Sequence, residues 1–122
     1  MAEIIVLPTH HDPRGSLTVL EKVLPFVIER VFWIYDLPND QTRGQHRHQQ
    51  TWQGMVCMRG SVEVIVKKYA QETLFTLDSA NQVLILAPDD WHEMRQFTDS
   101  PILLLLASHG YDPKDYIKEP LV

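Results

Sequence analysis

Two histidines set two residues apart are the densest chemistry in this sequence. They lie in the run Arg43-Gly44-Gln45-His46-Arg47-His48. On a strand, residues i and i+2 point to the same face, so His46 and His48 enter one cavity if the run is extended. Imidazole titrates near neutral pH and also ligates metals. The pair therefore points to proton transfer or to a metal site. Beyond His48 come four residues, then Gln53, then six residues, then Gly60. A first-row metal takes three or four well-placed His or carboxylate ligands. Gln53 is a neutral, poorer ligand than a carboxylate. The remaining histidines, His10, His11, His92 and His109, are not paired in this way.

The elements that must hold this pair are short and apolar. Turn signals recur at His11-Asp12-Pro13-Arg14-Gly15, Leu37-Pro38-Asn39-Asp40, Arg59-Gly60-Ser61, Asp78-Ser79-Ala80-Asn81, Pro88-Asp89-Asp90 and Asp99-Ser100-Pro101. Between them lie runs of strand length: 4–7, 17–20, 30–37, 51–58, 62–68, 73–77, 82–86, 92–97 and 102–108. Regular short strands between turns predict an all-β sandwich or barrel. Leu84-Ile85-Leu86 and Ile102-Leu103-Leu104-Leu105-Leu106 read as strands buried on both faces. The stretch 111–117 reads as a turn with one helical turn. There is no βαβ rhythm, which argues against a parallel α/β sheet.

Composition sets the outer bounds. The chain has 122 residues, 44% of them hydrophobic, which predicts one domain, 1–122, with one core. A formal net charge of −5 argues against a nucleic-acid or anionic-membrane partner. It leaves room for a small anionic ligand held by a few arginines. The one cysteine, Cys57, sits between Val56 and Met58 and reads as buried core. No basic leader or membrane-length apolar run is visible, so a cytoplasmic location is the expectation.

The spacing H-x-H-x4-Q-x6-G resembles the first cupin motif, with Gln53 at the position of its Glu. The cupin fold is a jelly-roll barrel, which suits the strand pattern. On this resemblance Gly60 would make a tight turn that sends the chain back to pair. The second cupin motif has its counterpart in Pro88-Asp89-Asp90-Trp91-His92-Glu93. Counted from Pro88, the third inward group falls on Glu93, and His92 is one residue early. A one-residue offset flips the face on a strand. This leans toward a metal-free cupin, with a triad of His46, His48 and Glu93 left open.

Six further segments, in order, resemble the sugar 3,4-ketoisomerase family of cupins. They are residues 12–17, 24–31, 43–48, 57–61, 91–94, and 103–108 followed by Tyr111-Asp112 and Asp115-Tyr116-Ile117. The resemblance implies an isomerase acting on dTDP-4-keto-6-deoxyglucose in deoxysugar or surface-glycan biosynthesis. It implies no cofactor, no metal, and a homodimer. It implies an enediol mechanism, in which a base removes the C3 proton and C4 is reprotonated. Carried onto this chain, His48 is the base and His46 its partner. Arg14 and Arg43 are candidates for the diphosphate or sugar, and Gln53, Trp91 and Glu93 for the sugar pocket. The family strand after Arg30-Val31 carries tyrosine, but Phe32 and Trp33 stand here; Tyr35 offers a hydroxyl from the face of Trp33. Gln49 follows His48 where the family has Lys. Two other readings stand beside this one: a metal-dependent cupin enzyme and a non-catalytic sugar-binding cupin.

Overall fold

The computed structural model describes residues 2–122 and is built almost wholly of antiparallel strands. They are β1 (Glu3–Val6), β2 (Thr9–Asp12), β3 (Gly15–Thr18), β4 (Arg30–Ile34), β5 (Arg43–His48), β6 (Gln53–Lys68), β7 (Gln71–Leu77), β8 (Gln82–Leu86), β9 (Trp91–Ala107) and β10 (Tyr116–Ile117). A 3-10 turn, Pro113–Asp115, precedes β10. Eight strands join in one sheet, ordered β1-β8-β6-β9-β5-β10, with β4 added to β9 and β7 to β6.

The spine is the ladder between the two long strands. It runs from Gln53↔Ala107 to Lys67↔Trp91. Each long strand serves two further neighbours in turn. The first part of β6 pairs with β8 and the second with β7. Likewise β9 pairs first with β5 and then with β4. This is how a jelly roll closes with few free edges.

The sequence predicts chain-reversing turns at Arg59-Gly60-Ser61 and Asp99-Ser100-Pro101. Neither reverses the chain. Both are bends inside a continuous strand, where the β6–β9 register shifts. The backbone signature is left-handed: Gly60 has φ 73°, and Asp99 and Ser100 have φ 58° and 51°. Bulges bend a strand without ending it, and they raise the same Gly and Asp signals as a turn. Gly60 is needed here because a Cβ would collide with the carbonyl oxygens of Thr98 and Asp99. Another miss is β2, whose Thr-His-His-Asp run is polar and largely exposed and gives no strand pattern.

The core sits inside the barrel. Met55, Cys57, Val62, Val64, Val66, Leu77, Leu84, Leu86, Met94, Phe97, Leu103 and Leu105 form it. A second cluster, centred on Leu7, Val56, Val83 and Ile85, lies on the other face of the same strands. That is why Val83–Leu86 of β8 is apolar without a break: alternate residues feed two cores. Cys57 is core, as read. Burial pushes its thiol up to about 11. Among the described residues no helix is long and apolar enough to cross a membrane.

Candidate active site

The site begins with an extra residue in β5. Arg43 pairs with Met94 and Gly44 with Glu93, but His46 pairs with His92. Gln45 is bulged out, with φ 58°. Without that bulge Gln45 would oppose His92. With it, His46 and His92 stand directly opposite and share a face. Gly44 makes the approach possible, having φ 86° and space for no side chain. A Cβ there would lie 2.9 Å from the His92 carbonyl oxygen and 3.5 Å from its ring.

The result is three imidazoles rather than two. Ring centroids are 5.0 Å apart for His46–His48, 4.9 Å for His46–His92 and 6.2 Å for His48–His92. His92 is buried and belongs to the site; the sequence reading placed it on the wrong face. The count from Pro88 was sound for β9 alone. What it could not include was the bulge on the partner strand. Glu93 in turn faces away, accepting a 2.8 Å hydrogen bond from the Gln45 side chain. Trp91 shares that outer face. Its indole N–H donates to the Lys118 carbonyl at 2.8 Å, and the Lys67 ammonium lies 4.9 Å from its ring centre. Neither Trp91 nor Glu93 lines the cavity, which corrects both expectations.

Each ring is held by its Nδ1. His46 donates to the Gly44 carbonyl at 3.0 Å and His92 to the Asp90 carbonyl at 3.1 Å. His48 bonds the Asp115 carboxylate at 2.8 Å. A carbonyl or carboxylate only accepts, so Nδ1 carries the proton in each ring. Every Nε2 is then a free lone pair in the neutral state. Of the three, the Nε2 of His48 is fully buried with no hydrogen-bond partner among the described residues.

Asp115 is a site residue that no spacing in the sequence marks. The 3-10 turn delivers it. Asp112 caps that turn by accepting from the Lys114 N–H at 3.0 Å, and Pro113 opens it with a preset φ. Tyr116 then pairs with His48 across β10 and β5. Asp115 is buried and satisfied: it also accepts from the Gln50 N–H at 2.8 Å and the Thr51 hydroxyl at 2.5 Å. Burial works to raise its carboxyl, but these hydrogen bonds outweigh that and hold it below the usual range. Burial pushes His48 and His46 below the ordinary imidazole value. In His48 the Asp115 contact opposes the drop without cancelling it. Burial takes His92 down to about 3. All three rings are therefore neutral at pH 7.

In front of them opens a cavity of about 460 Å³. His46, His92, Tyr116, Gln53, Met94 and Leu105 line it, with Phe32, Trp33, Ile34 and Tyr35 from β4 and the chain just beyond it. His48 lies behind His46 and Tyr116; the Tyr116 ring centre is 4.7 Å from His46 and 4.6 Å from His48. A phenol thus stands beside both imidazoles, although Phe32 and Trp33 lack one. Tyr35 reaches the cavity from an exposed position.

Two guanidiniums line the same cavity, Arg43 and Arg30. Arg30 opens β4 and is a site residue that no spacing in the sequence marks. It lies 4.3 Å from the Phe32 ring centre and 5.4 Å from that of Tyr111. No carboxylate forms an ion pair with either arginine among the described residues, so both charges are available to an anion. Arg14 is elsewhere. It sits in the β2–β3 hairpin, 90% exposed, with its guanidinium 2.6 Å from Asp12. The expected role of Arg14 in this cavity is not met within the chain.

Known proteins resemble this chain over nearly its whole length. The profile of the FdtA family, described as WxcM-like, C-terminal, matches residues 1–121. A TDP-4-oxo-6-deoxy-alpha-D-glucose-3,4-oxoisomerase from Aneurinibacillus thermoaerophilus is 40% identical over 88% of this chain and 79% of its own length. The QdtA 3,4-ketoisomerase of Thermoanaerobacterium thermosaccharolyticum, as a double mutant in complex with TDP, superposes with a TM-score of 0.92 at 38% identity, covering 97% of this chain and 87% of that one. The WlaRB TDP-quinovose 3,4-ketoisomerase of Campylobacter jejuni gives 0.92 at 34% identity, over 97% and 92%. The fold is thus the cupin jelly roll these enzymes share, and the chain belongs to the FdtA family, WxcM-like, C-terminal.

Proposed function

We propose that this chain is a sugar-nucleotide 3,4-ketoisomerase, converting TDP-4-keto-6-deoxyglucose to its 3-keto isomer by proton transfer through an enediol. One observation supports it above the rest: a buried, neutral His48 whose Nδ1–H is fixed by Asp115 and whose Nε2 lone pair is unpartnered. That is the arrangement of an oriented general base. His48 does not line the cavity, so it takes the C3 proton through His46, which does, and the electron pair forms the C3=C4 bond while the C4 ketone becomes an enediolate oxygen. The C4 oxygen then takes up a proton, a second proton is delivered to C4 as the C3 hydroxyl loses its own, and the ketone stands at C3. His46 and Tyr116, at the cavity wall, are the groups placed to hand protons between the two carbons and their oxygens. Tyr35 is a further hydroxyl on the approach. Arg30 and Arg43 bind the diphosphate, since a guanidinium pairs two phosphate oxygens at once.

The chain works as a homodimer in this reading. Among the described residues the β2–β3 hairpin pairs with no other strand, and Leu17 on it is exposed. An isolated hairpin is marginal in water. Beside it runs an apolar groove lined by Leu7, Leu20, Val56, Met58 and Leu104. Sedimentation should give twice the chain mass, and Leu17→Asp should shift the species toward monomer. A single unpaired cysteine fits a cytoplasmic setting.

The test is turnover of TDP-4-keto-6-deoxyglucose by chelator-treated protein, with product identified by NMR. Formation of the 3-keto sugar supports the reading. Binding without turnover would make the chain a sugar-nucleotide receptor. Turnover restored only by added Fe, Mn or Ni would make it a metal enzyme.

A further inference from the structure

Gln53 opens β6, and its backbone is clamped on both sides, by Leu86 of β8 and Ala107 of β9. Its side chain points inward, on the face of Met55 and Cys57. It lines the cavity, is only 3% exposed, and its Oε1 has no hydrogen-bond partner among the described residues. A buried, unpaired amide oxygen is costly, and a Met or Leu would fill the same space without that cost. The barrel therefore has no packing need for this amide. A ligand in the cavity is what would satisfy it.

We propose that Gln53 binds the neighbouring keto and hydroxyl oxygens at C3 and C4 of the sugar, donating from its NH2 to the ketone and accepting at its carbonyl from the hydroxyl. The proposal rests on the ketoisomerase reading above and adds a specificity-determining residue to it. The chemistry fits because the reaction exchanges the two oxygens' roles. The C4 ketone becomes a hydroxyl as the C3 hydroxyl becomes a ketone. An amide has one donor end and one acceptor end, and a half-turn of its last torsion swaps them. Substrate and product are thus matched by one side chain. In the enediolate between them, the NH2 faces the oxygen that gains negative charge. A carboxylate here would repel that charge and offer no donor. The same neutrality that makes Gln53 a poor metal ligand suits it to an anionic intermediate.

Two variants test this, Gln53→Glu and Gln53→Met, with kcat on TDP-4-keto-6-deoxyglucose and calorimetric affinity for TDP alone. The proposal expects kcat to fall about 100-fold in both, the loss typical of one transition-state hydrogen-bond donor, with TDP affinity unchanged. Should the buried charge of Gln53→Glu prevent folding, Gln53→Met, close in volume and uncharged, carries the test. Wild-type kcat in the folded variants overturns the proposal. So does a parallel loss of TDP affinity, which would mark Gln53 as a support of the cavity. Wild-type protein that binds TDP yet converts no keto sugar overturns the ketoisomerase reading itself, and the Gln53 role with it. An active wild type with unimpaired variants overturns the Gln53 role alone.

Discussion

Asp115 decides which nitrogen of His48 is basic. Its carboxylate fixes Nδ1–H and leaves Nε2 free. Asp115→Asn should reverse this. The asparagine carbonyl would be held at the Oδ1 position by the Gln50 N–H, leaving the NH2 at the Oδ2 position that faces both His48 and the Thr51 hydroxyl, which would turn to accept. His48 would then have to accept at Nδ1 and protonate Nε2, losing the base. Asp115→Asn and His48→Asn are expected to reduce kcat similarly, by roughly 10²–10⁴-fold, in steady-state assays with TDP affinity retained. The pH profile follows from the same contacts. Burial lowers His48 and Asp115 only partly offsets it, so the acid limb of kcat/KM should lie below pH 6.5. Full activity at neutral pH and loss only under acid conditions is the expected curve. At this scale the sequence yields the His46–His48 pair by spacing alone. It does not yield Asp115, which is 67 residues from His48 and reaches it through a turn with no histidine-like signature.

The element that assembles the site is the bulge at Gln45. It converts a two-histidine strand into a three-histidine cluster by setting His46 against His92. Such a register shift is invisible in either strand read alone, which is why His92 and Glu93 exchange faces relative to the expectation. Gly60 and Asp99-Ser100 misled for a related reason: a bulge needs the same left-handed residues as a turn. The strand types and both two-faced apolar strands, by contrast, follow directly from alternation and length. Gly44→Ala probes the device. It places a Cβ 2.9 Å from a backbone oxygen at a left-handed φ. The expected cost is about 1–3 kcal/mol, read as a lower urea midpoint with unchanged slope, together with loss of turnover.

For the whole molecule, burying three neutral histidines ties stability to pH. All three rings have pKa values below the unfolded 6.5, with His92 near 3. The unfolded chain therefore binds more protons than the folded one between pH 6.5 and about 3. Stability falls as pH drops through that window and is fully present above it. Asp115 adds a second, lower window. Its depressed pKa gives stability above the ordinary value of 3.8 that is lost as pH falls through the folded value. Thermal melts from pH 8 to 4 should show the Tm falling below pH 6.5, and His92→Phe should flatten that fall. The barrel and the family are legible in the ordered segments of the sequence. The shape of the cavity is not, because it depends on β4, β5, β9 and the tail meeting in space. Arg30 and Tyr116 enter it only through that meeting. The account's central claim is that His48 and its neighbours carry protons at C3 and C4. Incubation with TDP-4-keto-6-deoxyglucose in deuterated buffer tests it most directly. The account predicts a 3-keto product carrying deuterium at C4. Recovery of unlabelled starting sugar, with no exchange at C3, would contradict it.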